Sequence, residues 1–162
     1  VCYDLLVANE GVAQGIYFSQ NESDMLRIIG HPYVMGGSDW SNYGKHLDRN
    51  QVGGGHPRGT ATFITRLALL RDHGLQTLEQ AVHSITGLPV EMSGIEGIGV
   101  LREGAHGDIC IFDYAKLSAD SDYIHPFGRN HGLDYVLVNG KVAVEDGLYN
   151  GVKNGRVLKK KQ

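Results

Sequence analysis

One aspartate stands where a chemically active residue is expected. Asp39 directly follows the apolar run Tyr33-Val34-Met35 and the small residues Gly36-Gly37-Ser38. At the carboxyl end of a parallel strand, a carboxylate faces the crevice in which α/β proteins place their catalytic groups. A carboxylate in that position can bind a metal ion or exchange a proton with water. The alternative is that Asp39 caps the following turn through a hydrogen bond to its own backbone.

A long polar loop, residues 40–58, contains further candidates. His46, Asp48 and His56 are residue types that bind zinc, but their spacing fits no compact zinc motif. We therefore interpret them as loop residues rather than as a self-contained metal site. Arg58, where the loop ends, can hold a carboxylate through two parallel hydrogen bonds, or it can form an ordinary surface ion pair.

The remaining candidates are interpreted as structural. Gly53-Gly54-Gly55 lacks the Lys-Ser/Thr pair and the preceding strand of a phosphate-binding loop. Cys110 lies in an apolar run and is predicted to be an inert core thiol. Carboxylates at strand ends are interpreted as turn formers, and histidines on helices or turns as structural or solvated: Asp108, Asp113, His73, His83, His106, His125 and His131.

The elements that must position Asp39 read as strand, helix and strand. Apolar residues predict strands over 12–18 and 33–35, and a helix between them carries Met25, Leu26, Ile28 and Ile29. This order within about 25 residues is typical of a parallel α/β unit. An earlier helix is predicted to end at residues 3–7.

Three helices and then several strands are predicted after the loop. One helix ends before Gly74, a capping box at Thr77 to Gln80 begins the next, and Pro89 begins a one-turn helix that ends at Gly94. After Gly94 the apolar period becomes strand-like, which places a boundary near 95–105. The predicted strands are a buried one at 107–112, a hairpin of 135–138 and 141–144 around a type I′ turn at Asn139-Gly140, and a last one at 156–158.

Composition excludes several classes of protein. The chain has 162 residues, 23 glycines and a formal net charge of -3. Glycine is about twice as frequent as usual without a triplet repeat, which indicates many turns rather than collagen. The near-neutral charge gives no reason to expect a nucleic-acid partner, and no apolar run is long enough to cross a membrane. Two cysteines without a C-x-x-C pair favour a reducing, cytoplasmic location. A complete (βα)8 barrel usually needs 200 residues or more.

Taken in order, the motifs resemble those of one family over nearly the whole chain. They are Val34-Met35-Gly36-Gly37-Ser38-Asp39, His56-Pro57-Arg58, Leu78-Glu79-Gln80-Ala81-Val82, Thr86-Gly87-Leu88-Pro89, Asp108-Ile109-Cys110-Ile111-Phe112-Asp113, Tyr135-Val136-Leu137-Val138-Asn139-Gly140 and Gly155-Arg156-Val157-Leu158. The sequence resembles the C-terminal part of the N-acyl-D-amino-acid deacylases, which belong to the metal-dependent amidohydrolase superfamily.

This resemblance implies an α/β fold made of two parts. Residues 1–95 would be the last βα units of a (βα)8 TIM-like amidohydrolase barrel. Residues 96–162 would be the C-terminal part of a small β-sandwich domain. The implied activity of the parent protein is zinc-dependent hydrolysis of the amide in N-acyl-D-amino acids or D-amino-acid dipeptides.

The resemblance also implies roles for four residues. Asp39 would contact zinc and its bound water, act as general base, and then protonate the leaving amine. Arg58 would hold the α-carboxylate of the small-molecule substrate, with Ser38 and His56 beside the site. No H-x-H pair occurs in the sequence, so the remaining zinc ligands are absent from this chain and we expect it to be inactive alone.

The sequence departs from the family at Trp40, where glycine is usual. The loop after Asp39 is also longer, and Gly59 and Thr60 replace bulkier residues. The alternative function is a non-catalytic, self-associating structural module derived from an amidohydrolase, because an incomplete barrel leaves strand edges and an apolar helix face uncovered. Its partner would be a second copy or the missing N-terminal part. A small-molecule carrier that uses the glycine-rich loop is a third possibility.

Overall fold

A computed structural model describes residues 1–11, 15–40 and 55–159. Three of the sequence predictions, at His46, Asp48 and Gly53-Gly54, lie outside these ranges, as does the first half of the strand predicted at 12–18. None of the helices in the described ranges is long and apolar enough to cross a bilayer.

All the predicted helices are present. They are α1 (Cys2–Ala8), α2 (Glu22–Ile29), α3 (Arg58–Asp72), α4 (Leu78–His83) and α5 (Gly87–Ser93). The Asn21 side chain caps α2 by accepting hydrogen bonds from two backbone N–H groups, and Thr77 and Gln80 form the predicted capping box of α4. Helix α5 begins at Gly87, two residues before the predicted start at Pro89.

The strands form two antiparallel sheets in the second half of the chain. They are β1 (Ile109–Phe112), β2 (Ser118–Ala119), β3 (Asn130–His131), β4 (Leu133–Val138), β5 (Lys141–Glu145) and β6 (Leu148–Tyr149). The larger sheet has the order β1-β4-β5-β6, and β2 pairs with β3. The β4–β5 hairpin is confirmed, with φ of 47° at Asn139 and 76° at Gly140, as a type I′ turn requires.

Three strand predictions are wrong. Residues 15–18, 33–35 and 156–158 are in no sheet, and the last strand is instead β6. A parallel strand exists only beside a partner strand, and no described residue pairs with 33–35. Other groups satisfy this backbone: the Val34 carbonyl accepts from Arg66, and the Gly36 N–H donates to the Ser84 carbonyl at 3.0 Å.

Cys110 is not a core thiol. The strand β1 is present, but Cys110 and Ile111 at its centre are exposed. The prediction assumed that a continuous apolar run is covered on both faces. In the described residues, the Cys110 face of the sheet instead lines an open cavity. Partial burial still raises the pKa of the Cys110 thiol above its usual value, so this thiol is a weak nucleophile.

The small core is built around α3. Leu67 and Leu70 of this helix pack with Ala81 of α4 and Leu117, which follows the short 3₁₀ helix at 114–116. Helix α3 therefore contacts both the helical half and the β half of the chain. The other two buried residues of α3 are Ala61 and Arg66.

Arg66 is a buried cation that connects three segments. Its side chain donates to the Ser84 hydroxyl at 3.3 Å and to the carbonyls of Ile29 and Val34 at 3.1 and 2.8 Å. Only 7% of the residue is exposed, and burial lowers the pKa of its guanidinium. Because Ile29 ends α2 and Ser84 follows α4, one side chain fixes both helices and the extended segment before Asp39 to α3.

Replacing Arg66 by alanine should lower the free energy of unfolding by roughly 2–4 kcal/mol, because it leaves buried acceptors unpaired and a cavity behind. Urea denaturation followed by circular dichroism measures the change. The matched control is Arg27→Ala on α2, whose side chain is 85% exposed and forms a surface ion pair. We expect that control to change stability by about 0.5 kcal/mol or less. Equal effects of the two substitutions would contradict the role given to Arg66.

Candidate functional site

Asp39 ends the extended segment in an unusual backbone conformation. Asp39 has φ of 48°, in the left-handed region that non-glycine residues seldom adopt. The segment leading to it passes close to α3 and α4. A Cβ atom added at Gly36 would lie 2.7 Å from Ile85 Cγ2 and 3.0 Å from Arg66 Cδ, so only glycine fits there. The chain is thus held close to the helices just before it turns at Asp39.

Two of the predicted site residues form an ion pair. The Arg58 guanidinium lies 3.2 Å from Asp39 Oδ2, with 41% of the Arg58 side chain and 90% of the Asp39 side chain exposed. Arg58 is the first residue of α3 and follows Pro57, a residue suited to the start of a helix. The structure therefore brings together a carboxylate that can exchange a proton and a guanidinium that can bind a carboxylate.

His56 lies beside this pair as a neutral imidazole. The backbone N–H of Arg58 donates to His56 Nδ1 at 3.1 Å, so the proton of the neutral ring is on Nε2. Burial, and to a lesser extent the Arg58 charge, lowers the pKa of His56 below its usual value. A neutral His56 does not compete with Arg58 for anions.

Aromatic rings that the sequence analysis did not assign to the site surround these residues. The Trp40 ring lies 5.2 Å from the Arg58 guanidinium carbon and 6.1 Å from the His56 ring. The Tyr123 ring packs edge-on against His56 at 5.2 Å, and Phe18 packs edge-on against Tyr123 at 5.1 Å. Trp40 was visible as a departure from the family. No sequence pattern predicts that Phe18 and Tyr123 lie near His56, because these residues are distant in the sequence and come together only in the folded chain.

Two depressions open around the site. Ser38 and Arg58 lie at the edge of a mainly apolar cavity of about 640 Å³ between α3, α4 and the sheet. His56 and Arg58 also border a second depression of about 460 Å³, which Gly36 and Tyr123 line as well. Three predicted site residues, Ser38, His56 and Arg58, thus border concave surfaces, and Asp39 is ion-paired to one of them.

The described residues do not provide a complete metal site. No group of three or more His, Cys, Asp or Glu side chains within the described ranges is arranged to hold a metal ion. Asp39 can supply at most one ligand, whereas a zinc site needs three or four. Any zinc bound next to Asp39 would therefore take its other ligands from outside the described residues.

Of the two carboxylates predicted to form turns, Asp113 does so, whereas Asp108 makes a long-range contact. Asp108 accepts a hydrogen bond from the Asn139 N–H at 2.7 Å, beside the hairpin turn, and Asp113 caps the 3₁₀ helix by accepting from the Ala115 N–H. The Lys116 ammonium, 2.8 Å from Asp113, is the first cause of the lowered pKa of that carboxyl.

Three histidines have carboxylate partners that the sequence analysis did not identify. The pairs are His83–Glu91, His125–Asp122 and His131–Asp120, with N–O distances of 3.4, 3.5 and 2.7 Å. All three lie at the surface and away from Asp39 in the sequence, so their interpretation as structural or solvated groups is retained. His125 and Asp122 are only three residues apart, and that pairing was accessible from the sequence.

The helices of the first half and the antiparallel sheets of the second half make the described chain a mixed α/β protein. Residues 20–144 match the model of the amidohydrolase family. The chain belongs to the amidohydrolase family.

Curated relatives agree with this assignment. The chain is 34% identical over 154 residues to N-acyl-D-aspartate deacylase of Alcaligenes xylosoxydans xylosoxydans, and 36% identical over 147 residues to D-aminoacylase of the same organism. These matches cover 94% and 90% of this chain but 29% of each relative. The chain therefore spans less than a third of the length of these proteins.

Solved structures show the same similarity. A crystal structure of D-aminoacylase superimposes with a TM-score of 0.75 at 35% identity, covering 89% of this chain and 29% of that one. N-acyl-D-glutamate deacylase of Bordetella bronchiseptica, in complex with zinc and a phosphonate that mimics the tetrahedral intermediate, gives a TM-score of 0.70 at 32% identity. This match covers 87% of this chain and 30% of that one.

The lowered pKa of His56 predicts a pH dependence. Below its usual pKa of 6.5, the unfolded chain binds a proton that folded His56 does not bind until lower pH. The His56 contribution to stability is therefore fully present above pH 6.5 and is lost as pH falls through the folded pKa. An NMR titration of the His56 ring should give a midpoint below 6.5. In an Arg58→Gln variant the midpoint should rise only part of the way, because burial is the larger cause; a full return to 6.5 would contradict this order of causes.

Proposed function

We propose that this chain is the C-terminal portion of a zinc-dependent hydrolase that cleaves the amide of N-acyl-D-amino acids or D-amino-acid dipeptides. The observation that carries the proposal is the Arg58–Asp39 pair, 3.2 Å apart, in a member of the amidohydrolase family. Relatives with this similarity are deacylases of N-acyl-D-amino acids and are more than three times as long as this chain.

We assign residues 1–95 to the last βα units of a (βα)8 barrel and residues 96–162 to part of a β-sandwich. In the described residues, every helix longer than one 3₁₀ turn ends by Ser93 and every strand begins at Ile109 or later, which supports a boundary in this region.

In this proposal Arg58 binds the substrate carboxylate and Asp39 moves protons. Arg58 is always charged and offers paired N–H donors that match the geometry of a carboxylate. Asp39 takes a proton from the attacking water and gives it to the amine that leaves when the amide C–N bond breaks. Ser38 and His56 border the site as neutral hydrogen-bonding groups. We assign Asp39 to the zinc as one ligand, with the others supplied by segments outside this chain.

A change of Asp39 to asparagine in the full-length protein that contains this chain should lower kcat by about 10²–10⁴-fold, because the amide cannot accept the proton from water. The measurement is hydrolysis of N-acetyl-D-methionine in the presence of zinc. The isolated 162-residue chain should show no turnover under the same conditions, because it lacks the other ligands.

The matched control is Asp24→Asn on α2, where an exposed carboxylate lies 3.9 Å from Arg27. This variant should retain the wild-type rate. The proposal fails if full-length protein with zinc does not hydrolyse the substrate. The assignment of Asp39 fails if Asp39→Asn is as active as Asp24→Asn, and the inactivity of the isolated chain is wrong if that chain turns over substrate.

A second candidate function is a non-catalytic, self-associating module, favoured by apolar surface that the described chain leaves uncovered. The 640 Å³ cavity is bordered by Phe63 of α3 and by Val100 and Leu101, which are 44%, 47% and 80% exposed. Monomeric proteins seldom leave such patches in water. A second copy, or the remaining part of the longer protein, would cover the patch.

We predict that the isolated chain self-associates through this surface. Light scattering at increasing protein concentration should show a mass above the 17.7 kDa of one chain. Leu101→Glu, which places a charge at the cavity, should reduce the association, whereas Met92→Glu should not, because Met92 is 71% exposed but does not line the cavity. A monodisperse monomer at all concentrations would exclude the second candidate function.

A cytoplasmic location is part of the proposal. Cys2 and Cys110 are both unpaired and exposed in the described structure. Exposed free thiols persist in reducing compartments, which supports this location.

A further inference from the structure

Two consecutive residues contact the same guanidinium. Asp39 Oδ2 lies 3.2 Å from Arg58 Nη1, and the ring of Trp40 lies 5.2 Å from Arg58 Cζ. Consecutive side chains of an extended segment point to opposite sides. The positive φ of Asp39 breaks that alternation, so that both side chains reach Arg58.

The ion pair alone cannot hold Arg58 in one orientation. The Asp39 side chain is 90% exposed, and exposed ion pairs contribute little because water and salt screen them. Trp40 is half-buried, and tryptophan is the aromatic residue that attracts a guanidinium most strongly. Trp40 is in turn packed beside His56, which contacts Tyr123. The contact between Trp40 and Arg58 is therefore held in place by more neighbouring residues than the Asp39–Arg58 ion pair.

A ring over one face of a guanidinium leaves its N–H groups free at the edge. In Arg58, Nη1 is paired with Asp39, whereas Nε is buried and has no hydrogen-bond partner in the described part of the chain. A buried donor without an acceptor is costly in a native protein, so the hydrogen bonding of Arg58 is incomplete in the described residues. A ligand carboxylate, with two oxygens, is able to pair with two donors of Arg58 where Asp39 pairs with one.

We propose that Trp40 is a positioning residue that orients Arg58 for a ligand carboxylate, and that in the zinc-free protein Asp39 pairs with Arg58 until a ligand carboxylate displaces it. The inference rests on the proposed function, because it names the carboxylate of an N-acyl-D-amino acid as the displacing group. Binding of that carboxylate releases Asp39 from Arg58 and leaves it free to accept a proton. Trp40 acts through Arg58 and does not itself take part in the reaction.

Binding is measured separately from turnover. Full-length protein treated with EDTA is titrated with N-acetyl-D-methionine, and Trp40 emission is obtained as the difference between wild type and Trp40→Phe. Trp40 is the only tryptophan of the 162 residues. We expect the emission to change with this ligand, but neither with its methyl ester, which has no carboxylate, nor in an Arg58→Gln variant. The same response to the ester would overturn the proposal.

The affinity for N-acetyl-D-methionine, measured by isothermal titration calorimetry, tests the roles of Trp40 and Asp39. Trp40→Ala should weaken binding about two- to fivefold, and Trp40→Phe should restore part of it because a ring remains. Asp39→Asn should tighten binding, because the competing carboxylate is gone. The control Tyr33→Ala removes an exposed ring that contacts His31 and not Arg58, and it should bind like wild type.

The outcomes separate this inference from the proposed function. Unchanged binding in Trp40→Ala overturns the positioning role, and weaker or unchanged binding in Asp39→Asn overturns the displacement, whatever the enzyme activity. With zinc restored, Trp40→Ala should raise KM for N-acetyl-D-methionine two- to fivefold with little change in kcat, as a positioning residue requires. Carboxylate binding with the expected variant effects but no hydrolysis would reject the function and retain the inference.

Discussion

The buried guanidinium of Arg66 is the interaction on which the geometry of the site depends. It bonds three uncharged oxygens, the carbonyls of Ile29 and Val34 and the hydroxyl of Ser84. Burial of a charge without a carboxylate is costly, and burial does lower the pKa of Arg66. The three acceptors belong to three separate segments, so these hydrogen bonds attach all three segments to α3 and offset the cost of burial. Without Arg66, the extended segment that ends in Asp39 would lose its main attachment to α3.

Helix α3 then sets the distances between the two halves of the chain. Arg58 begins the helix at the site, and Arg66 lies eight residues later, about 12 Å along the axis. In the last turn, Arg71 donates to the carbonyls of Tyr114 and Leu117 in the β half. One rigid helix thus connects the ion pair, the segment before Asp39 and the sheets. A substitution of any of these three arginines would therefore remove a contact that α3 makes with another part of the chain.

The features that were predictable from the sequence are those set by local interactions. The hairpin at Asn139-Gly140 and the capping box at Thr77 are specified by residues within a few positions of each other, and both are present. The strand at 33–35 and the core position of Cys110 were predicted wrongly, because both depend on partners distant in the sequence. Within the site, the closeness of Asp39 and Arg58 was implied by the resemblance, whereas the roles of Arg66 and Tyr123 carried no sequence signal, since each depends on tertiary contacts.

The exposure of the ion pair also bears on the proposal that residues outside this chain complete the site. A carboxylate that is 90% exposed interacts with its partner through water, where electrostatic effects are weak. Catalytic groups gain their effect from a site that excludes water. The apolar cavity beside Arg58 is also open, and its lining includes apolar surface that proteins normally cover. A single covering element would therefore strengthen the interactions of Asp39 and Arg58 and remove the apolar surface from water at the same time. Relatives more than three times as long have the chain length to supply such a cover.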